Sequence, residues 1–259
     1  MIDLSQLPLG KGLIGFGFLA IMLAAERLFP AVSIRKAAAR LWRNFGLAAI
    51  NLVLSPLIIV PVSALTAHWS LGWRPQWMSG TVGLALDLFL LDGWIYFWHR
   101  INHVVPVLWR FHEVHHLDET LDASSALRFH FGEVLLSACL RALVIFVFAI
   151  QLSSVIVFET LVLLLTIFHH SNLHLPESLE RVLSAVIVTP GLHWVHHHAL
   201  GRDTDSNYAT ILSFWDLLFA SRSGTRRSPE MKIGVEGRED VSLPRLLIRP
   251  FQRLFASAR

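Results

Sequence analysis

The sequence predicts an all-α, polytopic membrane bundle of about four to five membrane-embedded helices, closed on one side by a cytoplasmic, histidine-rich helical cap. Three observations predict it. Hydrophobic residues fill 54% of the 259 positions, too many for an ordinary water-soluble domain. They gather in stretches of about 20 residues, the length a helix needs to cross a bilayer. Ten of the 14 histidines fall into two matching sets, each beginning where such a stretch ends.

Five stretches qualify or nearly do: residues 11 to 29, 46 to 67, 80 to 98, 132 to 150 and 153 to 170. The first does not read as a cleavable leader, because nothing basic precedes Lys11 and no small-residue cleavage pattern comes before Glu26, Arg27 and Pro30. It is expected to stay as a span. Arg27, Arg35, Lys36, Arg40 and Arg43 lie between the first two spans, against Arg74 alone between the second and third, which puts the first loop in the cytoplasm. Threading onward, with a reversal at Gln151 to Ser154, brings both histidine sets to the cytoplasmic side. Trp69, Trp73 and Trp77 suit one interfacial belt, and Trp98 and Trp109 the other.

Residues 177 to 189 are too short to span and stop at Pro190 and Gly191, so they read as an interfacial segment. Residues 221 to 240 are polar and read as a mobile loop. The tail from Leu243 spaces Arg245, Arg249 and Arg253 four apart, with Leu246, Leu247, Leu254 and Phe255 largely off that stripe. It reads as a surface helix on anionic lipid that Pro250 must kink or break. The chain thus divides into N-terminal membrane helices (1–80), a histidine-bearing region (81–220), and a polar loop with a basic amphipathic tail (221–259). The net charge of +3 sits at segment ends, which fits a membrane surface and not nucleic acid. The single cysteine, Cys139, excludes a disulfide framework, a cysteine zinc site and a thiolate-held cluster.

The histidine sets are His99, His103, His112, His115 and His116, then His170, His174, His193, His196 and His197. Each reads H-x3-H followed by H-x2-H-H. Histidines four apart share a helical face, and a short helix carrying H-x2-H-H can present several nitrogens to one pocket. Ten imidazoles far exceed the three protein ligands of a typical catalytic zinc, so two cations fit the count; imidazole alone does not choose among iron, copper, zinc and nickel. Isolated His68, His130 and His198 read as surface or satisfied polar residues. His169 points about 100° away from His170 around a helix and reads as lying behind the ligands or at the lipid interface.

His112, Glu113, Val114, His115 and His116 also satisfy the H-E-x-x-H zinc protease signature, in which the glutamate is the general base. The second set has Trp194 where the first has Glu113, so the repeated element is the histidine spacing. Ligating imidazoles usually donate their second N–H to a carboxylate or carbonyl. Asp92, Glu113, Asp118, Asp122, Asp203, Asp205 and Asp216 are the candidate partners. Asp92 is foremost, because an acid near the end of a span is costly unless paired. Arg141 and Glu159, deep on the fourth and fifth spans, are expected to pair with each other.

Asp92, Tyr96 and His99 in DGWIYFWHRINH, then WRFHEVHH, FHHSNLHLP, TPGLHWVHHH and NYATILSFWDLLFAS, resemble the fatty acid hydroxylase superfamily, also called the sterol desaturase family, from about Asp92 to Phe219. The resemblance implies a membrane di-iron oxygenase in which all ten motif histidines ligate two iron ions, with zinc as a substituting metal. Asp92, Tyr96, Glu113, Asn207, Tyr208 and Asp216 would support them from behind. It implies that O2 and external electrons are used to hydroxylate or desaturate an unactivated C–H position of a lipid such as a sterol or fatty acyl chain. With no dinucleotide fingerprint or haem attachment motif in the sequence, the expected donor is a ferredoxin or a cytochrome b5-like protein with its reductase. The rival readings are a non-catalytic metal transporter or sensor, a bis-histidine haem carrier and a membrane zinc protease.

Overall fold

The computed structural model describes residues 7–33 and 38–256. Its regular structure is helical, with three isolated β-bridges and no strand among the described residues. In chain order the helices are α1 (Leu7–Leu28), α2 (Ala38–Leu54), α3 (Val60–His68), α4 (Gly80–Val104), α5 (Pro106–His116) and α6 (Phe131–Phe148). There follow α7 (Leu152–His170), α8 (Glu177–Leu183), α9 (Pro190–His196), α10 (Gly201–Thr204), α11 (Phe214–Leu218) and α12 (Leu243–Ala256). A π-helical turn at Ser55–Ile59, carrying Pro56, joins α2 to α3, and the three pieces make one helix of 31 residues.

Among the described residues four helices are long and apolar enough to cross a membrane: Ala38–His68, Gly80–Val104, Phe131–Phe148 and Leu152–His170. The expected first segment is the 22-residue helix α1. The second span begins earlier than its hydropathy suggested, because Arg40, Arg43 and Asn44 stay helical by finding polar partners. Arg40 donates to Asp118 (2.6 Å) and Asp122 (2.7 Å), and Arg43 pairs with Asp240 (2.7 Å). Two of the charges used for orientation are therefore structural, and two others, Arg35 and Lys36, lie outside the described residues. Arg40 meets Asp118 just after His116, so the start of α2 and the histidine helices occupy the same side of the bundle.

α6 and α7 form a hairpin, reversed at Ala149 in the left-handed conformation (φ 49°). Arg141 and Glu159 pair across it at 2.6 Å, as expected. α7 packs against α1, α4 and α9, with Leu91, Ile145, Val155 and Phe158 sealing the centre of the bundle. α5 and α9 both start with proline at their first position, where the missing N–H costs nothing.

In the C-terminal region the structure adds contacts that the sequence reading did not foresee. The segment 221–242 is irregular but tied down: Lys232 carbonyl accepts from Ala199 N–H (2.8 Å), Gly234 N–H donates to His197 carbonyl (3.2 Å), and Asp240 receives Arg128 and Arg43. α12 also does not simply lie on lipid. Leu246 is fully enclosed against Leu47, Val114 and Leu117, while its helix continues through Pro250. Arg245 and Ile248 face outward. Leu246→Ala is therefore expected to destabilise the protein by about 2–5 kcal/mol, whereas Ile248→Ala, at a side chain 49% exposed, should change stability by less than about 0.5 kcal/mol. Thermal melts of the two variants in detergent check this; equal melting temperatures would put the tail back on the lipid surface.

Candidate metal centre

Nine histidines converge in two groups. His99, His103, His112, His116 and His196 form one; His115, His170, His193 and His197 form the other. Within each, one nitrogen per residue lies within 4.8 Å of all the rest. Each H-x2-H-H helix sends its outer histidines to one group and its middle histidine to the other, so His115 and His196 are exchanged between the sets. Helix geometry explains the division: residues 112 and 116 lie about 40° apart around α5, whereas 115 is turned about 100° from 116.

Four of the nine imidazoles are fixed from behind by backbone carbonyls through Nδ1. His99 donates to Tyr208 carbonyl (2.8 Å), His115 to Arg128 carbonyl (3.1 Å), His170 to Thr166 carbonyl (2.8 Å) and His196 to Ser206 carbonyl (2.6 Å). A carbonyl only accepts, so each of these rings carries its proton on Nδ1 and leaves a bare lone pair on Nε2. The Nε2 atoms of His115 and His170 then face one another at 3.0 Å with no proton to share. Two lone pairs at that distance repel unless a cation lies between them. His193 Nε2 stands 3.0 Å from His170 Nε2 and 3.1 Å from His197 Nε2, and His112 and His116 approach at 3.2 Å. Nitrogens about 2.0–2.1 Å from a metal stand about 3.3 Å apart in a tetrahedron and about 2.9 Å apart in an octahedron, so the donor set fits metal ions.

Burial and neighbouring imidazoles push His115, His116, His193 and His197 well below their ordinary range, and burial pushes His196 down to about 3. All are held neutral, the form that ligates metal.

The expected site residues separate clearly. His174 is exposed and joins neither group, because α7 ends at His170 and Ser171 turns extended (ψ 148°), so the second H-x3-H pair does not share a helical face. His169 is buried behind the site, its ring 4.1 Å from that of His193. Asp92 accepts from Trp215 Nε1 (2.8 Å) and Leu212 N–H (3.2 Å), anchoring the segment after the last histidine instead of an imidazole. Asp216 accepts from the N–H groups of Tyr208 (2.8 Å) and Ala209 (3.0 Å), which sets the carbonyl that holds His99. Tyr96 hydroxyl meets Ser221 (2.8 Å). Asn207, in the left-handed region (φ 51°), ties Leu192 carbonyl (3.0 Å) to Ser223 N–H (2.9 Å). Glu113 is engaged by Arg238 and Arg249 (3.3 Å), which removes the carboxylate that a protease would use as base.

Two carboxylates stand against grouped imidazoles: Asp205, one of the expected candidates, 3.4 Å from His103 Nδ1, and Glu133, 2.8 Å from His112 Nδ1, which the sequence reasoning missed. The signal for Glu133 was present: it is an acid in the first turn of a spanning helix, the same argument that singled out Asp92.

A model of the fatty acid hydroxylase family matches residues 84–221, a stretch that contains all nine grouped histidines. The chain belongs to that family. It is 26% identical over 200 residues to an ornithine lipid hydroxylase of Rhizobium tropici, covering 76% of this chain and 59% of that protein. It is 28% identical to a cholesterol 25-hydroxylase-like protein of Danio rerio (70% of this chain, 72% of that one) and 28% identical to the alkylglycerol monooxygenase of Homo sapiens (59% and 32%). The chain thus spans little more than half of the first relative and about a third of the last. No solved structure matches it.

Two outcomes follow from the site. Unfolded imidazoles titrate near 6.5, above the folded values, so the unfolded state binds more protons below that pH. The contribution of the histidine cage to the stability of the metal-free protein should be full above about pH 6.5 and be lost as pH falls toward the folded value of about 3 for His196. Melting temperatures from about pH 8 to 4 that rise on acidification would contradict the neutral cage. Glu133→Gln should weaken metal loading by about 10- to 100-fold with helical content unchanged, while His174→Ala should load like the parent; elemental analysis after dialysis reads both.

Proposed function

We propose that this chain is a membrane oxygenase that uses two iron ions, O2 and electrons from an external donor to hydroxylate, or desaturate, an unactivated C–H position of a lipid. The observation that carries the reading is the pair of nitrogen cages at the ends of α4 and α7, with bare lone pairs opposed at 3.0 Å. The family match supports it. So do the relatives, whose names describe hydroxylation or mono-oxygenation of ornithine lipid, cholesterol and alkylglycerol, which favours hydroxylation over desaturation.

Iron held there would supply the O2-dependent redox chemistry that no amino-acid side chain performs. The chain's own residues do the rest. His99, His103, His112, His116 and His196 would hold one ion, and His115, His170, His193 and His197 the other. Backbone carbonyls and Glu133 fix the aim of His99, His112, His115, His170 and His196, which limits reorganisation of those rings on loading. Burial keeps bulk water from the cage, as an oxidising site requires. The spanning helices deliver a lipid from the bilayer, with the cage at the cytoplasmic face, where a ferredoxin or a cytochrome b5-like donor with its reductase would dock.

A transporter is disfavoured by the spans themselves. Arg141 is locked to Glu159, Asp87 to Arg74 and Asp92 to Trp215, leaving these ionisable groups as fixed structural pairs and not steps along a path.

Lipid mass spectrometry of cells expressing the parent or His112→Ala tests the proposal. A lipid that gains one oxygen, or loses two hydrogens, only with the parent names substrate and reaction together. Identical lipid profiles, with an electron donor co-expressed and iron bound, would end the enzymatic reading.

A further inference from the structure

The two histidine helices share a feature that metal binding does not use. At the position after the first histidine of H-x2-H-H, α5 carries Glu113 and α9 carries Trp194, 0% and 3% exposed. These positions are turned about 100° from the preceding ligand, toward the backs of the helices. Different as they are, both are gripped by arginines from the C-terminal region. Glu113 takes Arg238 from the irregular segment and Arg249 (3.3 Å) from α12. Trp194 takes the Arg227 guanidinium, 4.1 Å above its ring.

The same segment reaches the other histidine-bearing elements. Arg227 also donates to Leu173 carbonyl (3.2 Å) and Asn172 Oδ1 (3.1 Å), just past His170 at the end of α7. Further along the segment, Gly234 N–H donates to His197 carbonyl and Lys232 carbonyl accepts from Ala199 N–H at the end of α9. Asp240 takes the guanidinium of Arg128, whose carbonyl holds His115. A cation over an indole gains more when desolvated, and burial lowers the Arg227 pKa to about 10, still charged at neutral pH.

We propose that residues 227–249 are a clip that sets the register of the two histidine helices, with Arg227 positioning the α9 ligands through Trp194, and Arg238 and Arg249 positioning the α5 ligands through Glu113. The inference rests on the metal-centre reading for its consequence, but not for its geometry. Removing one arm loosens one helix and leaves the other. Because each helix supplies histidines to both groups, either arm should speed the loss of metal from the whole cage.

The test compares Arg227→Met with the double variant Arg238→Met, Arg249→Met in the full-length protein in detergent. Amide hydrogen exchange of the metal-free forms should quicken at 193–197 in the first and at 112–116 in the second, with α6 unchanged in both. Arg227→Lys, which keeps a cation over Trp194, should restore slow exchange. Loaded with iron(II) and challenged with a chelator, both Met variants should release metal about tenfold faster than the parent. Unchanged exchange at the named helix, or acceleration spread evenly over α4 to α9, overturns the clip. A parent that binds no iron overturns the metal reading instead, and the exchange pattern still decides the clip.

Discussion

Bare imidazole nitrogens held 3.0 Å apart are the constraint on which the rest of this structure depends. His115 and His170 each commit their ring proton to a backbone carbonyl, and what remains between them is lone pair against lone pair. Such an arrangement stands only if the backbone behind it is rigid, and the surrounding elements supply that rigidity. Ser206, Tyr208 and Arg128 are carbonyl props, and none of them would be in place without the turns and ion pairs that hold their own segments.

Beneath the site lies a buried polar network. Arg40 engages Asp118, Asp122 and Ser125; Asn44 donates to Asp118 and Ser124; Arg128, fully enclosed, reaches Asn44 and Asp240. Replacing such a network by apolar groups often costs little, while removing one partner leaves an uncompensated charge. Its value here is directional. It joins α2, the end of α5, the turn at Ala123–Leu127 and the C-terminal segment, and so fixes where His115 and His116 stand relative to the membrane helices. Opposing guanidiniums hold the Asp118 carboxyl below its usual range despite full burial, so Asp118 stays ionised.

The five-to-four division of ligands has a local cause. α4 continues past His99 to His103, whereas α7 stops at His170 because Asn172 is claimed by Glu26, Val32 and Arg227, and Leu173 bridges to Pro30. The H-x3-H repeat in the sequence is real, but it becomes a shared face only where the helix runs through it.

Hydropathy located the four long apolar helices, apart from the early start of the second at Ala38, and histidine spacing named all nine grouped donors together with His174, because both are properties of short stretches of chain. The Arg141–Glu159 pair was legible for the same reason: two costly charges on adjacent spans need each other. Glu133 could have been found by the argument applied to Asp92. The exchange of His115 and His196 between groups, the exclusion of His174 and the pinning of residues 221–242 could not. A mobile reading of that segment follows from its composition, and its contacts with the distant partners Glu113, Trp194 and Arg128 are visible only in the tertiary structure. The sequence by itself determined that neutral nitrogen donors would gather at the ends of membrane helices; the tertiary structure decided which nitrogens converge into each group. Convergence to 3 Å is set by how helices dock and where they end, and no local pattern encodes that.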